Sequence, residues 1–337
     1  MKITVFSTKP FERPYLNAAA GPAHELRFVE ENLGPETTAL AAGTEAVAIF
    51  STDDASAAVL EALHGLGIRF LTIRATGHEQ VDLARARQLG LRVANVPEYS
   101  PHAIAEHAVA LMLALNRRLR QADQQLRAHD FRLDELIGFD MHGKTVGIVG
   151  LGHIGGVVAG ILHGFGCRLL GYDPVPNPAF TIQFGLAYTT LDDLCAQADI
   201  ITLHAPMVPH APYLIDAARL AHMKPGVMLI NTSRGAELDT AAAVAALETG
   251  QLGYLGLDVY EREQQLFFVD HTQHPPTDAL FARLLTLPNV LVTGHQAFLT
   301  REALEHIAAT TRRNLDGWAA GQPVPTELPT PVDIPAA

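Results

Sequence analysis

Two doubly wound α/β domains built on parallel sheets, one inserted into the other, are what this sequence predicts. Three observations carry that reading. Short apolar strands alternate with helical stretches from Lys2 to Asn95; a second, longer alternation runs from Thr145 to Thr293; and the chain then returns to helix near Arg301. Strands alternating with helices argue for a parallel sheet covered on both faces. At 337 residues the chain is too long for one compact core.

The first alternation reads as strands at Lys2–Phe6, His24–Val29, Ala46–Phe50, Phe70–Arg74 and Arg92–Asn95. Helices are expected at Phe11–Ala20, Ser56–His64 and Val81–Leu89, the last stopped by Gly90, since glycine accepts a left-handed cap cheaply. A single long helix is expected from Ser100 to about Arg120, with Ser100 as N-cap and Pro101 at the first helical position. Its centre, Ala108 to Leu115, is apolar nearly all round, which suggests burial between domains or subunits.

The second alternation supplies six expected strands: Thr145–Val149, Arg168–Tyr172, Ile200–His204, Met228–Asn231, Leu255–Val259 and Val290–Val292. Arg301–Gly317 reads as helix, and the Pro-rich stretch Pro323–Ala337 as an extended tail. The expected division is residues 1–99 with 299–337 as one discontinuous domain, and 100–298 as the inserted one.

Composition narrows the function classes. With 24 Lys+Arg against 36 Asp+Glu, the net charge of −12 argues against nucleic acid or anionic membrane as partner. A single Arg can still govern a pocket for a small anion. Cys167 and Cys195 are too few for a disulfide framework and lie in apolar stretches, so both read as core residues. No signal-peptide pattern opens the chain, and no apolar run reaches the roughly 18 residues that span a bilayer. The expected address is the cytoplasm.

The clearest local signal is Val146-Gly-Ile-Val-Gly150-Leu-Gly152-His153-Ile154-Gly155, with a strand entering and a helical run leaving. Gly150 would make the tight turn, Gly152 admit a pyrophosphate to the backbone, and Gly155 let helix and strand pack closely. Asp173 follows Gly155 by 18 residues at the end of the next strand. That spacing suits a carboxylate on the adenosine ribose hydroxyls, and its charge favours NAD over NADP.

Three further segments sit at expected strand ends, where open α/β sheets bind ligands: Asn231–Gly235, Gly256–Glu263 and Thr293–Gln296. They contain Arg234, Glu263 and His295. Reduction of a 2-keto acid needs a proton donor near neutrality, a carboxylate to orient it, and a cation for the substrate carboxylate. Each residue alone has a plain alternative: a solvated loop Arg, a surface Glu, a structural His. Their shared place at the ends of one sheet's strands points to the chemical reading.

Together these segments and Val96-Pro-Glu-Tyr99-Ser-Pro-His-Ala-Ile-Ala-Glu106-His107 resemble the D-isomer-specific 2-hydroxyacid dehydrogenases, and among them most closely the bacterial fermentative D-lactate dehydrogenases. The resemblance runs from Met1 to the helix around Arg312. It implies a Rossmann-type NAD domain inserted into a flavodoxin-like substrate domain. It implies Arg234 as substrate anchor, Glu263 as partner of His295, and His295 as proton donor. It assigns Gly150, Gly152, His153, Ile154, Gly155, Asp173, Ala205, Pro206, Thr232, Ser233 and Asp258 to the cofactor, Asp258 at the nicotinamide carboxamide. Phe50, Thr76, Gly77, Tyr99 and Phe298, with Arg234, are implied around the substrate. Two large aromatics there favour pyruvate, reduced reversibly to D-lactate, over bulkier keto acids. A homodimer or homotetramer is expected, and no metal is assigned.

The chain departs from many relatives at His210-Ala211-Pro212, where Asn or Asp is usual, and at His78-Glu79-Gln80. Other readings stay open: a glyoxylate, hydroxypyruvate or phenylpyruvate reductase, or a non-catalytic NADH-sensing protein.

Overall fold

The computed structural model describes residues 1–206 and 213–328. The chain divides by its contacts into two compact units, Met1–Ser100 with the chain from Leu299 on, and Pro101–Phe298. The His210–Pro212 turn, and the expected extended tail beyond residue 328, lie outside the described residues.

The first unit holds β1 (Lys2–Val5), α1 (Arg13–Ala20), β2 (Glu25–Phe28), β3 (Ala46–Ile49), α2 (Ala57–Gly65), β4 (Phe70–Ile73), α3 (Leu83–Gln88) and β5 (Arg92–Ala94). All pairings are parallel, in the order β2-β1-β3-β4-β5, which is the flavodoxin-like arrangement. Side chains alternate across the sheet, as a period of two demands. Val47 and Ile49 meet α2 through Val59, Leu60 and Leu63 on one face. Ala46 and Ala48 meet Leu16 of α1 and Ala308, Leu315 and Trp318 of the C-terminal helix Arg301–Ala319 on the other. Phe70 stacks on Trp318 at 5.0 Å. Each large side chain so buried contributes about 1.5–3 kcal/mol. α3 begins at Asp82, whose side chain accepts from Arg85 N–H, and gives way at Gly90 with φ +70°.

The second unit opens with α4 (Pro101–Asn116) and α5 (Leu119–Arg127). Here the expected single helix is two. Asn116 turns its amide onto the backbone of Phe139, donating to the carbonyl at 2.7 Å and accepting from the N–H at 2.8 Å. Arg118 then takes a left-handed conformation, φ +48°. The apolar run that drives α4 into the core ends at Leu115, so nothing pulls the helix further.

There follow β6 (Thr145–Val149), α6 (His153–Gly164), β7 (Arg168–Tyr172), α7 (Pro178–Phe184), β8 (Ala187–Tyr188), α8 (Leu191–Gln197), β9 (Ile200–Leu203), α9 (Ala217–His222), β10 (Val227–Asn231), α10 (Thr240–Thr249), β11 (Leu252–Leu257), α11 (Ala279–Thr286) and β12 (Val290–Val292). The order β12-β11-β10-β9-β6-β7-β8 is the dinucleotide-binding order, with one more strand at the β12 edge. The sheet has seven strands where six were expected. The added one is β8, an edge strand of two residues, too short for alternation to reveal. α4 and α6 cover one face over Met228 and Ile230; α8, α10 and α11 cover the other over Ile201, Leu203 and Leu229. Cys167 and Cys195 are both buried, and burial pushes the Cys195 thiol up to about 11. Among the described residues no helix is long and apolar enough to cross a membrane.

Candidate functional site

Parallel strands end at one edge of a sheet, so six loops of the second unit converge there by topology alone. They follow β6 (Gly150–Gly152), β7 (Asp173), β9 (His204–Pro206), β10 (Thr232–Arg234), β11 (Asp258–Glu263) and β12 (Thr293–Gln296).

Gly150 turns at φ +87°, and a Cβ there would stand 2.5 Å from Ala205 N. Gly155 lies as close to its neighbour, since its Cβ would meet Gly150 O at 2.0 Å. Gly152 is different. A Cβ on it would meet no heavy atom within 4 Å, so the protein's own packing does not require glycine there. It precedes α6 in extended backbone and has no side-chain cap, and His153 and Ile154 begin the first turn. The N–H groups of a helix's first turn, behind a bare glycine, fit a pyrophosphate.

Asp173 accepts from Leu151 N–H at 2.7 Å and from Val175 N–H at 2.8 Å, which fixes its carboxylate beside the turn. It lines a cavity of about 1030 Å³ together with Gly152, His153, Asn177, Phe180 and Glu106. A carboxylate in a partly apolar cavity beside the glycine turn suits an adenosine ribose. Ala205 and Pro206 follow β9; the Ala205 carbonyl accepts a hydrogen bond from Ser233 Oγ. Thr232 is buried.

Around Arg234 the backbone is fixed by Asn231, whose side chain donates to Arg234 O at 2.8 Å and accepts from Ser233 N–H at 3.0 Å. Gly235 passes close under the next loop, where a Cβ would be 2.1 Å from Tyr260 C. Glu263 opens a single 3-10 turn. Its Oε2 accepts from Tyr260 N–H at 2.8 Å, and its Oε1 stands 2.6 Å from His295 Nδ1. His295 holds a left-handed backbone, φ +52°, and the Phe268 ring lies 6.0 Å from its own. Burial works against the charged imidazole, but the hydrogen bond and charge of Glu263, helped by Asp258, outweigh it. His295 therefore titrates above the ordinary histidine value, although the nearby Arg234 charge pulls the other way.

Asp258, expected at the nicotinamide, is 1% exposed, and its carboxylate serves the His295 loop. It accepts from Thr293 Oγ1 at 2.5 Å, Gln296 N–H at 2.9 Å and Ala297 N–H at 2.8 Å. Its carbonyl accepts from His295 N–H at 2.8 Å. His107 of α4 reaches Thr293 Oγ1 at 3.0 Å. Phe298, 8% exposed, closes the unit. Sequence reading overlooked Thr293, Gln296 and Phe268 as supports of His295, and Glu237 as a buried acid beside Arg234.

In the first unit, Phe50 follows β3 and packs its ring 5.8 Å from the Arg74 guanidinium. Arg74 is a core residue: it is fully buried, makes two 3.0 Å contacts with Glu12, and donates to Ala48 O and Phe6 O. Thr76 and Gly77 follow in the bend after β4, with Thr76 Oγ1 donating to Val96 O at 3.0 Å. The Tyr99 carbonyl accepts from His306 Nδ1 at 2.9 Å.

Residues 109–297 match the model of the D-isomer specific 2-hydroxyacid dehydrogenase, NAD binding domain. A D-lactate dehydrogenase of Curvularia clavata is 47% identical over 333 residues, 97% of this chain and 95% of that one. The D-lactate dehydrogenase of Escherichia coli K12 is 45% identical over 97% of this chain and all of its own length. Among solved structures, the apo D-lactate dehydrogenase of Escherichia coli matches with TM-score 0.89 and 44% identity, over 98% of this chain and 100% of that one. The pyruvate reductase of Chlamydomonas reinhardtii matches with TM-score 0.91 and 43% identity, over 96% and 98%. The chain thus belongs to the D-isomer-specific 2-hydroxyacid dehydrogenases, NAD-dependent oxidoreductases.

Proposed function

We propose that the chain reduces pyruvate to D-lactate, reversibly, with His295 as proton donor, Glu263 as its orienting partner and Arg234 as anchor of the substrate carboxylate. The observation carrying this reading is the 2.6 Å contact between His295 Nδ1 and Glu263 Oε1 at the strand-end edge that also carries Arg234. Bound NADH supplies the hydride.

The chain's own residues supply the rest. With Nδ1 committed to Glu263, the proton to be delivered is the one on Nε2. Glu263 keeps the imidazole protonated to higher pH than an isolated histidine. Arg234 can hold a carboxylate through two N–H groups and polarise the adjoining carbonyl. Its positive charge also presses the imidazolium to release its proton as negative charge grows on the keto oxygen.

In the same reading, Gly150, Gly152, His153, Ile154 and Gly155 hold the pyrophosphate and Asp173 the adenosine ribose. Ala205, Pro206, Thr232, Ser233 and Asp258 flank the remainder of the cofactor. Phe50, Thr76, Gly77, Tyr99 and Phe298 are assigned to the substrate by the family resemblance, and large aromatics among them favour a side chain no larger than a methyl. The discontinuous unit is the substrate domain and the inserted one the NAD domain. The D-lactate dehydrogenases of Escherichia coli and Curvularia and the pyruvate reductase of Chlamydomonas support lactate and pyruvate as the pair. A homodimer or homotetramer working in the cytoplasm belongs to the same reading; α4 itself packs its apolar residues on its own sheet.

The test is loss of NADH absorbance on adding pyruvate, with the product's handedness read by chiral chromatography. His295→Ala should lower turnover by about three orders of magnitude or more while NADH still binds. Near-normal turnover would remove His295 from the mechanism, and L-lactate or preference for a bulkier keto acid would overturn the substrate.

A further inference from the structure

Helix α4 lies against β11 where Gly256 leaves room for it. A Cβ on Gly256 would meet Leu111 Cβ at 3.3 Å and Leu115 Cδ1 at 3.2 Å. His107 stands four residues before Leu111, one turn along the same helix face. That spacing carries its imidazole toward the strand-end loops that hold Asp258 and Thr293. The side chain is 19% exposed, and its Nε2 lies 3.0 Å from Thr293 Oγ1 and 3.5 Å from Asp258 Oδ1. Among the described residues, the basic side chain within ion-pair distance of Asp258 is this one.

Proton counting fixes the direction of these contacts. The Asp258 carboxylate is met by donors, Gln296 N–H at Oδ1 and Ala297 N–H at Oδ2. Thr293 has one hydroxyl proton, and it goes to Asp258 Oδ1 at 2.5 Å rather than to Leu257 O at 3.4 Å. Toward His107, Thr293 Oγ1 is then an acceptor, so the imidazole carries a proton on Nε2.

We propose that His107 is a positioning residue for His295, acting through Thr293 and Asp258. His107 Nε2–H donates to Thr293, Thr293 donates to Asp258, and Asp258 receives the N–H groups of the two residues after His295. The inference rests on the reading of His295 as proton donor above. His295 N–H itself donates to Asp258 O at 2.8 Å, so backbone and side chain of Asp258 both hold the turn. The left-handed conformation of His295, φ +52°, is thereby tied to a helix packed in the core and not to its own loop alone. Loss of the tie loosens the aim of the His295 ring, and a small misplacement of a proton donor costs turnover far more than binding.

The experiment measures kcat and KM for pyruvate, with NADH affinity by fluorescence titration, in the wild type and in variants that separate ring from donor. His107→Phe keeps a ring and loses the donor; His107→Gln loses the ring and keeps an N–H donor of similar reach. The Phe variant should lower kcat about tenfold, with KM for pyruvate and NADH affinity changed by less than about threefold. The Gln variant should return kcat to within about threefold of the wild type. Thr293→Val removes the middle link, so adding His107→Phe to it should lower kcat by less than about a further twofold. Full turnover in His107→Phe, a Gln variant as slow as Phe, effects that multiply in the double variant, or a loss confined to KM or NADH binding would each overturn the proposal. Should His107→Phe not fold, His107→Leu takes its place in every comparison. A wild type inactive on every keto acid would instead sink the functional reading, whereas an active wild type with any of the contrary outcomes sinks only this inference.

Discussion

Glu263 Oε1 and His295 Nδ1 meet at 2.6 Å across two strand-end loops, and His295 reaches that contact in a left-handed backbone, φ +52°. A non-glycine residue held there costs about 1–3 kcal/mol, which the surrounding contacts must offset. Asp258, which accepts N–H groups from both residues after His295, is positioned to do so.

Glu263→Gln tests the pairing. Its carboxylate is what outweighs burial and holds the imidazole proton on as pH rises. Without it, burial prevails and the proton leaves at lower pH. The descending limb of kcat/KM for keto-acid reduction should therefore move to lower pH, with activity at about pH 8 reduced by about a hundredfold. A limb that stays in place would mean that Glu263 does not set the titration of His295.

Asp258→Asn separates two roles for one residue. An amide has a single acceptor oxygen, so one of the donors from Thr293, Gln296 or Ala297 is left unmatched in a buried place, at about 1–3 kcal/mol. Turnover should fall about ten- to a hundredfold, and the thermal midpoint by several degrees, while NADH affinity changes by less than about threefold. The opposite pattern, weak NADH binding with full turnover at saturation, would return Asp258 to a direct cofactor contact.

How far all this could be read beforehand depends on how local each signal is. The parallel strands were legible because a strand covered on both faces is a short apolar run, as in Ile200–Leu203 and Val227–Asn231. The glycine turn was legible because its needs fall within six residues. The support that Asp258 gives the His295 loop was not legible because its partners lie 35 to 39 residues later, and no spacing rule reports a loop folding back. Glu237 carried no signal in the sequence, since its burial depends on the fold around it. The break at Arg118 was hidden for a similar reason: Asn116 ends the helix by pairing with Phe139, 23 residues away.

Asp173→Ala should relax cofactor choice. The carboxylate, fixed by Leu151 and Val175 N–H groups, is the negative charge that would meet a 2′-phosphate. Removing it should lower the ratio of kcat/KM with NADH to that with NADPH by about tenfold or more. An unchanged ratio would place discrimination elsewhere along the cavity that Asp173 lines.

Gly150 and Gly152 lie two residues apart and should fail differently. Alanine at Gly150 meets both a left-handed backbone, φ +87°, and Ala205 N at 2.5 Å, so Gly150→Ala should lose about 2–4 kcal/mol of stability whether or not cofactor is present. Alanine at Gly152 meets no protein atom within 4 Å, so the free protein should melt as the wild type does. If a pyrophosphate passes over that backbone, the added methyl stands in its path, and NADH binding should weaken about tenfold or more. Calorimetry of the free proteins together with NADH titration separates the two cases. A Gly152→Ala variant that binds NADH normally would show that this bare edge of the turn is not where the cofactor lies.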